Sequence, residues 1–76
     1  MNTYYITFGS NHLIGFGLHY YIKCEAPNEL IARKKINELT NNKWSGIYTE
    51  IPKHNEKCLG ILRIFDEYLY ECIRVM

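Results

Sequence analysis

Hydrophobic and polar positions alternate at period two near the start of the chain. Tyr4, Ile6 and Phe8 fall on one side, with Thr3, Tyr5 and Thr7 on the other, which predicts a strand near residues 2–8 with one apolar face. The pattern returns near residues 18–25, where Leu18, Tyr20, Ile22 and Cys24 alternate with His19, Tyr21, Lys23 and Glu25. Between these runs, the segment from Gly9 to Gly17 is too long for a tight hairpin and suits a wide loop between antiparallel neighbours. The period then changes. Over residues 28–40, Ala32, Ile36 and Leu39 share a helical face, which Leu30 or Ile31 widens. Asn28 is placed to cap the first turn after Pro27, Glu29 suits the positive end of the helix dipole, and Asn41 or Asn42 can take the left-handed conformation that ends a helix. Glu29 with Arg33, and Lys34 with Glu38, have the spacing of ion pairs on the wet side.

A third strand is expected at residues 44–50, with Trp44 and Tyr48 on one face and Gly46 between them. Residues 53–58 are polar and aperiodic and read as a surface loop or a short turn of helix. The segment 61–75 supports two readings. Ile61, Phe65, Tyr68 or Leu69, Cys72 and Met76 recur at helical intervals, whereas the β-branched and aromatic residues of 68–75 favour a strand. The expected fold is α+β in a single domain, 1–76. A small antiparallel sheet carries the helix on one face, and residues 61–75 form a second helix or a fourth strand.

Composition narrows the function more than it reveals it. A chain of 76 residues that is 47% hydrophobic and 22% charged should fold as one small domain. Its seven tyrosines exceed what one small core hides, which points some of them to a contact surface. The net charge of +1 lacks the concentrated basic surplus that a phosphate backbone requires, and the trio Arg33, Lys34, Lys35 is offset by Glu29 and Glu38. The N-terminal residues do not form an export signal, and no run approaches a membrane span, so a cytoplasmic setting with reduced thiols is expected.

Motifs for chemistry are sparse. The glycines of the 9–17 loop fit neither a P-loop nor a dinucleotide fingerprint. Cys24, Cys58, Cys72, His12, His19 and His54 never pair at zinc-ligand spacing, and His12 has only Ser10 near it in sequence. Neither a metal, a cofactor nor catalytic residues are expected, and the chain reads as non-enzymatic. The residues singled out for binding are Tyr5, His12, His19, Tyr21, Arg33 and Trp44. Tyr5 and Tyr21 stand opposite the apolar phase of their strands, beside Thr3, Thr7, His19 and Lys23. Trp44 and arginine are the residue types that dominate interface energetics.

Tyr-Tyr-Ile-Thr-Phe-Gly at residues 4–9, His12, Tyr20-Tyr21-Ile22-Lys23 with Ala26, Ala32-Arg33-Lys34, Lys43-Trp44 and Ile47-Tyr48-Thr49-Glu50 together resemble a group of small bacteriophage and mobile-element proteins of Gram-positive bacteria. The likeness spans roughly residues 3–50 and does not extend over Gly60–Met76. That group has no established catalytic residues to carry over. What the resemblance implies is a compact, non-enzymatic, often dimeric protein that binds a host protein, with inhibition of a host defence protein as one form of that role. Two other functions fit the residues: capture of a small ligand or nucleotide in a crevice between two copies, using the glycine loop, Arg33 and Tyr21, and weak single-stranded nucleic-acid binding by stacking on sheet aromatics.

Overall fold

The computed structural model describes residues 1–8, 20–51 and 57–74. The glycine loop, Leu18, both His12 and His19, and residues 53–56 lie outside the described residues. The elements are β1 (Asn2–Thr7), β2 (Tyr20–Ala26), α1 (Glu29–Thr40), β3 (Gly46–Tyr48), β4 (Lys57–Ile64) and β5 (Tyr70–Arg74). They make an α+β fold in which one helix packs on a five-stranded sheet of order β3-β1-β2-β4-β5.

The sheet is mixed rather than antiparallel throughout. β1 pairs antiparallel with β2 and β3, β4 with β5, but β2 and β4 run parallel. A parallel pair cannot be closed by a hairpin, and here the chain between β2 and β4 contains α1 and β3. In register, Tyr21 lies opposite Cys58 and Ile22 opposite Gly60, so Leu59 is the extra residue of a bulge.

Segment 61–75 is not a second helix; the strand reading of 68–75 is the one that forms, as β5 (Tyr70–Arg74), although it is the fifth strand and not the fourth. The segment holds the end of β4, a turn and β5, and β4 begins at Lys57, inside the stretch expected to be loop. The helical spacing of Ile61, Phe65, Leu69 and Cys72 is real in the sequence, but a strand flanked on both sides also reads as a continuous apolar run. Cys58-Leu59-Gly60-Ile61-Leu62 is such a run, and only its pairing with β2 distinguishes the two. The strand expected at 44–50 shortens to three residues, Gly46–Tyr48. Trp44 therefore precedes the alternation and packs on the helix side with Ile47, whereas Tyr48 pairs with Tyr5 and is exposed.

The core joins the predicted inward faces of β1, β2 and α1 to Leu62 and Ile64 of β4, which the helical spacing of 61–75 did not select. Tyr4, Ile6 and Phe8 are buried with Cys24, Ala26, Ala32, Ile36, Leu62 and Ile64. Ile31 widens the helix stripe, while Leu30 faces solvent and Leu39 is 39% exposed; α1 packs mainly over β2. Both helix ends form as their residues require. The Asn28 side chain accepts from the Ile31 N–H at 2.9 Å, and Asn41 and Asn42 take positive φ (55° and 64°) while their N–H groups donate to the Asn37 carbonyl.

Arg33 pairs with Glu29 at 3.0 Å as expected, but Lys34 reaches Glu67 at 3.3 Å and Glu38 accepts from Lys35 at 3.2 Å. Lys35 is buried, unlike its neighbours Arg33 and Lys34. Its stem lies along the sheet, and its ammonium sits 4.6 Å from the centre of the Tyr70 ring.

The two ends of the helix stripe should respond differently to truncation. Ile36→Ala removes a side chain that is 1% exposed and should lower unfolding free energy by about 2–5 kcal/mol in a denaturant titration. Leu39→Ala, at a partly exposed position, should cost less than about 1.5 kcal/mol on the same measurement.

Candidate functional site

The four expected binding residues that are described, Tyr5, Tyr21, Arg33 and Trp44, fall into two pairs on opposite faces of the sheet. On the face without the helix, the Tyr5 and Tyr21 rings meet edge-to-face, with centroids 5.7 Å apart and planes at 70°. Tyr48 lies directly across the ladder from Tyr5, on the same face. Burial raises the Tyr21 phenol above its ordinary pKa, with Cys58 and Tyr5 adding to the effect. Both rings of the pair are half-buried.

On the helix side, the Arg33 guanidinium lies 5.5 Å from the Trp44 ring centre while its Nε donates to Glu29. The Trp44 indole N–H donates to the Asn37 side-chain carbonyl, and its ring packs against the core. Arg33 and Trp44 thus meet each other but not Tyr5 or Tyr21. Trp44 closes the joint between the helix end and β3, which is structural work.

The feature that residue-by-residue reading missed is the turn joining β4 to β5. The Phe65 N–H donates to the Leu69 carbonyl at 2.9 Å, and one Asp66 carboxylate oxygen accepts from the N–H groups of Tyr68 (2.7 Å) and Leu69 (2.8 Å). This is an Asx-type closure. The Lys34–Glu67 ion pair joins the turn to the helix. Thus held, the turn exposes Tyr68 to 88%, Leu69 to 59% and Phe65 to 44%. The Asp66-Glu67 pair flanked by Phe65 and Tyr68-Leu69-Tyr70 was a visible sign of a turn, but exposure of the apolar flanks depends on strand pairing.

An apolar groove of about 330 Å³ opens beside the turn's strands, between the end of α1 and β4–β5, lined by Ile22, Ile36, Leu39, Leu62 and Cys72. Its one hydroxyl, from Thr40, already donates to the Ile36 carbonyl at 2.6 Å. The three thiols are dispersed. Cys24 is buried, with its pKa pushed up to about 11, Cys58 is half-buried and Cys72 is exposed. Among the described residues, no three of His, Cys, Asp and Glu gather where they could hold a metal ion, and no helix is long and apolar enough to cross a membrane.

Comparison of the chain with protein-family models, with curated proteins and with solved structures returns no match, so the chemistry of these surfaces rests on their own geometry.

Backbone N–H groups of Tyr68 and then Leu69 hold the Asp66 carboxyl below its ordinary pKa, with a smaller pull from Lys35. A carboxyl whose folded-state pKa is depressed stabilises the turn fully above its unfolded pKa of about 3.9, and that contribution is lost as pH falls through the folded value. NMR titration should place Asp66 below the ordinary aspartate value, and the amide protection factors of Tyr68 and Leu69 should fall over the same acid range. A midpoint at or above the ordinary value would contradict the closure.

Proposed function

We propose that this chain is a non-catalytic protein-binding module and that its contact surface centres on the β4–β5 turn. The observation that carries the reading is the rigidly closed turn with Phe65, Tyr68 and Leu69 held out in water. Ordering exposed apolar side chains before contact reduces the entropy lost on binding, and aromatic anchors of this kind carry most of the energy of an interface. Asp66, Glu67 and Glu71 lie in or next to the turn, so the partner surface that complements it is an apolar cleft rimmed by lysine or arginine. The half-buried Tyr5–Tyr21 pair presents less free ring surface and ranks behind the turn. The resemblance to small phage proteins supports a host protein as the partner and inhibition of a defence protein as a form of the role.

A second reading, small-ligand binding, draws on the groove between α1 and β5. Its lining favours an uncharged apolar molecule over a nucleotide, because none of the described residues lining it is cationic. Arg33, the cation expected to meet a phosphate, is engaged by Glu29 and Trp44.

The doubly substituted Tyr68→Ala, Leu69→Ala variant should keep its unfolding free energy within about 0.5 kcal/mol of the parent, as surface changes usually do. It should lose at least about 2 kcal/mol of binding, roughly thirtyfold in affinity, if the turn holds the hot spot. Affinity capture from a Gram-positive bacterial lysate, followed by calorimetry with the purified partner, tests this. Equal capture by the parent and the variant would remove the turn from the interface.

A further inference from the structure

The two outer strands of the sheet are not equivalent. β3 is three residues long, and the Tyr48 ring folds so closely over Gly46 that a Cβ there would meet its hydroxyl at 2.7 Å. β5 runs for five residues, Tyr70–Arg74, in unbroken register with β4 and without proline or bulge, two of the devices that blunt exposed edges, and its two charged residues, Glu71 and Arg74, are of opposite sign.

The direction of the free backbone groups on β5 follows from its pairing. Phe65 and Leu69 share a hydrogen bond in the same register that pairs Ile64 with Tyr70. Hydrogen-bonded pairs alternate along an antiparallel ladder, so Glu71 and Ile73 bond to β4. Tyr70, Cys72 and Arg74 turn their N–H and C=O groups to the outer edge, where no described strand pairs with them.

We infer that this edge pairs antiparallel with β5 of a second copy about a twofold axis at Cys72, joining two sheets into one of ten strands. Centring on Cys72 uses all five residues: Cys72 meets Cys72 of the second copy, Glu71 meets Ile73, and Tyr70 meets Arg74. An axis at Glu71 would set two carboxylates directly opposite one another, which is destabilising. An axis at Ile73 would carry the ladder past β5, to positions 75 and 76. Residues directly opposite in a ladder point to the same face, so Cys72 of the second copy stands beside the Cys72 that lines the groove. The two grooves then abut at the axis, and each gains part of a wall from the other chain. The two Phe65–Leu69 turns lie away from the axis. This assembly does not depend on the turn being a binding site, because substitutions at Tyr68 and Leu69 leave the edge intact.

Light scattering coupled to size-exclusion chromatography tests the pairing on the full chain. The parent and Cys72→Ser should have dimer mass, while Cys72→Lys and Cys72→Glu, each opposing like charges at the axis, should run as monomers. Mixing the two charged variants should restore dimer mass, an outcome that requires position 72 to face its own counterpart. In the parent, the amides of Tyr70, Cys72 and Arg74 should be protected from exchange at high concentration and lose protection on dilution, a readout that needs no variant to fold. A parent that is monomeric at every concentration, a charged pair that stays monomeric on mixing, or edge amides whose exchange ignores concentration would overturn the inference.

Discussion

The parallel pairing of β2 with β4 is the constraint from which the rest of the architecture follows. It places β2 in the middle of the sheet, with β1 on one side and β4 on the other, and it requires the intervening chain to leave the sheet and return. α1 lies within that excursion and buries Ala32 and Ile36 against Ile6, Cys24 and Leu62. Parallel pairing between residues so distant in sequence carries a loop-closure cost, and burial of the helix stripe over the shared strands offsets it.

The same geometry creates the surfaces with functional promise. One twelve-residue helix cannot cover a sheet of five strands, and it packs chiefly on β2 with β1 and β4 beside it. The inner side of β5 is therefore left partly bare, which opens the apolar groove and leaves Tyr70 to be met by the Lys35 ammonium instead of by apolar side chains. Lys35 acts as a strut here. Its stem fills space beside the core, and its charge is balanced by Glu38 and by the face of an aromatic ring. The β4–β5 turn projects beyond the helix, tied back by Lys34 to Glu67. Exposed Phe65, Tyr68 and Tyr70, an open groove and the β5 edge all belong to the same half of the molecule.

Several elements were legible before any coordinates. The alternation of Tyr4, Ile6 and Phe8, the caps at Asn28 and Asn41, and the Ala32–Ile36 stripe are properties of short stretches, and they form as their residues dictate. The failures have a common cause. Lys34 was assigned to Glu38 by spacing, yet a partner 33 residues away competed successfully. Trp44 and Tyr48 were placed on one face by counting, yet the strand begins only at Gly46. Among the candidate binding residues, Tyr5 met Tyr21 and Arg33 met Trp44, but no local signal could tell that the sheet would separate the two pairs.

The sequence by itself determined where chain segments are apolar on one side, where the helix starts and stops, and that the whole belongs to the α+β class, because periodicity and capping are decided within a few residues. Tertiary structure alone decided that 57–74 is a hairpin, that β4 runs parallel to β2, and that Phe65, Tyr68 and Leu69 remain in water. Those outcomes depend on which distant strand supplies hydrogen bonds and which faces a single helix is wide enough to cover.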